Sequence, residues 1–298
     1  MPSLAPTMDE DPPSPDRWPT DLASLRAEID GIDDAIHDLL MRRAAVVQQV
    51  AAAKGTNGGV ALRPGREAVI LRRLLERHHG GLPRQAIVRI WRELLAATTA
   101  MQSMFVVAVC DTDPAASFTQ LAREQFGALT PIHVHRSPPQ SIAELSAGRA
   151  SAAVLPLPSD TEPPSQAWWT ALLQNDEPRI HIVGRLPFWS PRPDGAPAVQ
   201  ALIAAAMAPD PSGDDRTLLG LELDRETSRA RLAASLAAAD LASGGIILRR
   251  DPNAPVAHVL AEVPGFLTED DPRLARISAV LRPPVVLGAY AVPVGTTP

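Results

Sequence analysis

From Leu22 the apolar residues fall at Leu22, Leu25, Ile29, Ile32, Ile36 and Leu39, spaced alternately by three and four. The seam continues through Arg43, Val46, Val50 and Lys54, with no proline and with Gly31 off the seam. That pattern predicts one long amphipathic helix of coiled-coil type. Two shorter helices follow. Pro64 suits a first helical position, and Glu67, Val69, Ile70 and Leu74 lead to a stop at His78-His79-Gly80-Gly81. Pro83 opens the third, with a stripe of Ile87, Ile90, Trp91, Leu94, Leu95, Thr98, Met101 and Gln102. Thr98 and Gln102 are polar residues one turn apart on an otherwise apolar face.

Beyond Phe105 the period shortens. Strands are predicted over 105–109, 132–135, 152–157 and 180–183, alternating with helices over 117–126, 140–147 and 168–173. Such alternation predicts a small α/β layer with parallel strands. After a proline- and glycine-rich break at 191–197, a second block reads strand 217–223, helix 228–239, strand 245–249, strand 257–263, helix 272–279 and strand 285–292. Its βαββαβ order is ferredoxin-like. Residues 1–20 are rich in proline and aspartate without an apolar core, and read as a disordered leader.

Composition sharpens the picture at one point. The chain of 298 residues carries 28 basic side chains, and Lys54 is the only lysine among them. A lone ammonium in an arginine-rich protein suggests a position where a compact, hydrated point charge does something a planar guanidinium does not, the alternative being chance. Arg43 and Lys54 are eleven residues apart on the seam, so they share a helix face to within about 20°. Cations on a packing seam are costly unless an anion meets them; alternatively, the helix end leaves the core and both are solvated. Residues 22–104 hold twelve basic and eight acidic side chains, although the formal net charge of the chain is −6. A cationic helical region in an acidic protein implies a small anionic ligand. Nucleic acid is not expected, because the arginines are dispersed and no aromatics alternate with them. No run of eighteen apolar residues is present, so no membrane span is expected. A lone Cys110 excludes an internal disulfide, and cytoplasmic residence is the default expectation. His133 and His135 share a strand face, but without a third ligand no metal site is expected there.

Arg26, Arg43, Lys54, Arg66-Glu67, Thr98 and Gln102, on helices ordered long, short, medium, resemble the all-helical class of chorismate mutase. The likeness covers about residues 20–104, through 25–30, 41–43, Ala53-Lys54, 63–67 and 91–95. It implies a concerted rearrangement of chorismate to prephenate, with no cofactor and no covalent intermediate. The catalyst then holds a folded dicarboxylate and stabilises charge on the breaking ether oxygen. By the resemblance, Arg26 and Arg43 pair with the carboxylates, Lys54 and Gln102 donate to the ether oxygen, Glu67 takes the ring hydroxyl, and Thr98 assists carboxylate binding. Arg63 stands where relatives often place an acid that also meets the hydroxyl, and its spacing allows an i,i+4 pair with Glu67. Arg26 and Arg43 lie seventeen residues apart on one helix, roughly 25 Å. If both touch one substrate, Arg26 comes from a second chain, as in the family's intertwined homodimer.

The remainder resembles the prephenate dehydratase region and regulatory ACT domain that follow the mutase in bifunctional enzymes, through Ala116-Ser117-Phe118-Thr119, 154–157 and 214–219. The dehydratase motifs are replaced: Asp113-Pro114-Ala115-Ala116 stands at the glycine-rich helix entry, Pro158-Ser159 at the Glu-Asn pair and Ala201-Leu202-Ile203 at the catalytic Thr-Arg-Phe. Ser228-Arg229-Ala230 and Leu248-Arg249-Arg250-Asp251 replace the effector motifs of the ACT domain. Four segments are therefore expected: a leader (1–20), an all-α three-helix mutase domain (21–104), a reduced dehydratase-like α/β lobe (105–200) and a ferredoxin-like, ACT-like α+β domain (201–298). The expected activity is chorismate mutase with a non-catalytic C-terminal region. A non-catalytic small-molecule sensor and a bifunctional mutase–dehydratase are the alternatives.

Overall fold

A computed structural model describes residues 21–54, 61–163, 166–174, 176–251 and 254–295, with Lys54 described through its backbone alone. The expected leader over 1–20 lies outside the described residues. The chain divides into two compact units, Met1–Gly58 and Gly59–Pro298.

The first unit contributes one helix, α1, Leu22–Lys54. Asp21 caps it: the Ser24 amide donates to Asp21 Oδ1 at 2.9 Å, satisfying one of the four orphan amides of a helix start. None of its described side chains is buried, and the seam from Leu22 to Val50 stands open, with Leu39 at 63% exposure.

The second unit begins with α2 (Pro64–Arg77) and α3 (Arg84–Ala100). A side chain 145 residues further on caps α2, because Asp210 accepts hydrogen bonds from the amides of Gly65 (3.0 Å) and Arg66 (3.1 Å). Position 65 tolerates no larger residue, since an added Cβ would lie 2.2 Å from the Asp210 carbonyl oxygen. Arg72, on the same helix, donates to the carbonyls of Ser212, Asp214 and Val292. It thereby ties α2 to the sheet edge.

Among the described residues, nine strands form one sheet, β2-β1-β3-β5-β4-β9-β6-β8-β7. They are β1 Val107–Cys110, β2 Ile132–His135, β3 Ala152–Pro156, β4 His181–Leu186, β5 Ala201–Ala205, β6 Asp215–Asp224, β7 Gly245–Arg249, β8 Val256–Pro264 and β9 Val285–Ala291. The helices between them are α4 Ser117–Phe126, α5 Pro138–Ser146 and α6 Arg229–Ala238. Alternation along β1 explains the two-sided core. Val107 and Val109 face α4 through Leu121 and Phe126. Ala108 and Cys110 face Leu145 of α5 and the indoles of Trp168 and Trp169. The last four strands follow the order β9-β6-β8-β7, all antiparallel, with α6 packed on one face through Leu232 and Leu236. That order is ferredoxin-like, as the second block of the sequence predicts.

Three expectations need correction. The first lobe is not wholly parallel: β1 pairs in parallel with β2 and β3, but β5 runs antiparallel between β3 and β4. The segment 201–205, read from sequence only as a lost motif, is this fully buried strand. The two blocks are also not separate sheets, because β4 joins β9 at Ile182 and Gly288. Gly288 has φ +142°, and a Cβ there would lie 2.0 Å from the Ile182 carbonyl oxygen, so only glycine permits the junction. Finally, the helix expected over 272–279 is a single 3-10 turn, Leu274–Arg276, and the one at 168–173 is a 3-10 helix, Trp168–Gln174. In the turn, Leu274 and Ile277 supply the buried contacts at i,i+3, which suits the tighter winding.

Candidate active site

Of the sequence-identified residues, three belong to α1. Arg26 is exposed, Arg43 is half-buried, and burial draws the Arg43 guanidinium below its ordinary value. Lys54 ends the helix, and its side chain lies outside the described residues. The other four, Arg63, Glu67, Thr98 and Gln102, belong to the second unit.

Glu67 is buried on the first turn of α2. Its Oε2 accepts a hydrogen bond from Arg92 of α3 at 2.8 Å, and Arg92 is itself buried beneath the Phe188 ring, with 4.8 Å from guanidinium carbon to centroid. Burial pushes the Glu67 carboxyl above the usual range, with Arg92 opposing that shift. Burial likewise draws Arg92 down, against the pull of Glu67. The expected Arg63–Glu67 pair is not formed. Arg63 precedes the helix with non-helical backbone (φ −138°, ψ 71°), so the i,i+4 geometry does not apply to it. Its Nε donates instead to Asp210 at 3.1 Å.

Thr98 and Gln102 are brought together at the end of α3. The Thr98 hydroxyl donates to the Leu94 carbonyl at 2.9 Å, and Gln102 Nε2 donates to the Thr98 carbonyl at 3.1 Å.

Sequence reasoning missed Arg92 and Asp210. The buried residues of α3 are Val88, Arg92, Leu95, Thr98 and Thr99, so the expected stripe is buried at Leu95 and Thr98, whereas its Ile90 is exposed. The 4-3-4 spacing of Val88, Arg92, Leu95 and Thr99 was legible, and an arginine on it was the signal of a buried partner. Asp210 lies in a loop with no local pattern, and no sequence signal pointed to its capping role.

Residues 25–103 match the family chorismate mutase type II. All seven candidate residues fall inside that span. The bifunctional chorismate mutase/prephenate dehydratase of Stutzerimonas stutzeri is 29% identical over 173 residues, covering 54% of this chain and 47% of that protein. The protein of the same description from Aquifex aeolicus (strain VF5) is 32% identical over 151 residues, covering 48% of this chain and 40% of its own. This chain thus spans about half the length, or less, of these curated relatives. Among solved structures, prephenate dehydratase from Streptococcus mutans aligns over 62% of this chain and 97% of its own, at 12% identity and a TM-score of 0.47. Residues 25–103 therefore carry a chorismate mutase type II domain, and the similarity to bifunctional chorismate mutase/prephenate dehydratases extends beyond it.

Proposed function

We propose that this protein rearranges chorismate to prephenate, as a dimer whose α1 helices are shared, and that the region after residue 104 takes no part in the chemistry. One observation carries the reading: the mutase family match spans 25–103 and encloses Arg26, Arg43, Lys54, Arg63, Glu67, Thr98 and Gln102 together. The roles follow from the substrate. Arg26 and Arg43 hold two carboxylates as forked donors, and Lys54 with Gln102 stabilises the ether oxygen as its bond to carbon breaks. Glu67, fixed by Arg92, receives the ring hydroxyl. Arg26 enters from the second chain, because the open seam of α1 provides a packing face and some 25 Å separates it from Arg43.

Two features support a non-catalytic C-terminal region. Strand β5, Ala201–Ala205, stands where the dehydratase resemblance would place a hydroxyl and a cation, and it contributes only apolar side chains to the centre of the sheet. The residues between Phe188 and Ala201 are irregular and too few for a second lobe. We assign the ferredoxin-like block an ACT-like ancestry on its strand order and its place in the chain.

The test is the loss of chorismate absorbance with the full chain, alongside a coupled assay for phenylpyruvate. Turnover of chorismate without phenylpyruvate is expected. Phenylpyruvate formation would establish the bifunctional reading. A second reading, a non-catalytic sensor, is favoured by the internal bonds of Glu67, Thr98 and Gln102. Calorimetric binding of a chorismate transition-state analogue without any turnover would establish it.

A further inference from the structure

A cavity of about 390 Å³ opens between α3, α4 and the segment 186–193. Its volume falls within the ordinary range for small-molecule sites. Val88, Leu121, Leu186, Pro187, Phe188 and Trp189 give it apolar walls, two of them flat aromatic rings. Its polar groups are unequally satisfied. Glu124 holds Arg192 at 2.8 Å, and Glu93 accepts from the Ala128 amide at 3.1 Å, so both carboxylates of the lining are engaged. Arg92 is taken by Glu67. Arg89, exposed on α3 and part of the lining, has no carboxylate within ion-pair distance among the described residues. The indole N–H of Trp189 is buried with no acceptor.

A buried donor without an acceptor is unfavourable, and an unpaired cation at the rim of an apolar cavity attracts an anion. We propose that this cavity binds a small aromatic carboxylate whose ring carries a second hydrogen-bond acceptor. The ring fills the space between the Phe188 and Trp189 walls. The carboxylate meets Arg89, and the second acceptor, a ring hydroxyl or carbonyl oxygen, takes the Trp189 N–H. A neutral ring lacks the first contact and a simple alkyl carboxylate the second, so the site selects for both features at once. None of these groups is among the seven mutase candidates, and the site stands whether or not chorismate is turned over.

Isothermal titration of the full chain with 4-hydroxybenzoate tests this directly. Saturable binding is expected, at least tenfold weaker for 4-hydroxybenzamide and for Arg89→Gln. A smaller loss is expected for Trp189→Phe, which keeps the ring and removes only the donor. Arg26→Ala should bind as the parent does, which separates this cavity from the mutase site. The absence of saturable binding into the millimolar range would overturn the proposal. So would parental affinity in Arg89→Gln, an exposed substitution that leaves the fold intact.

Discussion

Arg92 and Glu67 form a buried charge pair, with side chains 6% and 12% exposed, and both charges are disfavoured by burial. Such a pair contributes little net stability when whole, but breaking it is expensive, because one uncompensated charge stays behind. Arg92→Leu should therefore destabilise the fold by about 3–5 kcal/mol, and adding Glu67→Leu should restore most of it. Urea unfolding of the two single variants and the double variant checks this; a single-variant loss below about 1 kcal/mol would mean the pair is not a structural unit. Lys54 is the only lysine of the chain. Lys54→Arg keeps the charge but spreads it over a larger plane, and should slow chorismate turnover at least tenfold, about 1.4 kcal/mol of barrier. Turnover within twofold of the parent would remove the special role given to that ammonium. Cys110 provides a pH-dependent readout of the core. Burial first, and Asp111 second, raise its thiol from 9.0 to about 11. Below both values the folded protein then holds about a hundredfold less thiolate than the unfolded chain. Iodoacetamide at pH 8 should label Cys110 quickly in urea and at least a hundredfold more slowly in buffer.

At the level of elements, α1 carries an apolar seam that no described residue of its own unit buries. A helix of 33 residues with an apolar seam gains most of its stability from packing that seam, and here Leu22, Ile29, Ile32, Ile36, Leu39, Val46 and Val50 of the seam are exposed. Ile32→Asp with Ile36→Asp should convert a dimer to a monomer in sedimentation equilibrium, and abolish turnover with it. Arg26→Ala and Arg43→Ala should each be nearly inactive alone, yet regain up to one site per heterodimer when subunits exchange. Heterodimers that form without recovery would place both arginines in a site within one chain. The elements themselves were legible to differing degrees, for physical reasons. Helix α1, helix α4 and strands β2 and β7 were readable within a residue or two, because their periodicity or their bounding turns are local. Strand β5 was not, because Ala201–Ala205 has no alternation when both faces are buried, and its partners lie on strands read as belonging to another unit. The junction at Gly288 was equally invisible, since its cause is a carbonyl more than a hundred residues away. At the site, the charged residues were legible as types at spacings; their partners Arg92 and Asp210 were settled by tertiary packing.

Within the second unit, helices of the mutase segment are built into the α/β region. Asp210 caps α2, Arg72 spans from α2 to carbonyls at positions 212, 214 and 292, and Arg92 of α3 lies against Phe188. Each of these contacts joins residues on either side of position 104, so the C-terminal region supports α2 and α3. Two variants separate support from chemistry. Asp210→Ala in the full chain removes the cap of α2 and should cost about 1–2 kcal/mol of stability, with turnover at low temperature close to that of the parent. Residues 20–104 alone lose the cap, the Arg72 bonds and the Phe188 contact together. That fragment should still dimerise and turn over chorismate, with a lower melting midpoint and lower solubility than the full chain. Circular dichroism melts, sedimentation and chorismate absorbance on the same samples decide it. A fragment that stays helical and dimeric but is inactive would make residues 105–298 part of the working site, and a role confined to support would then be wrong.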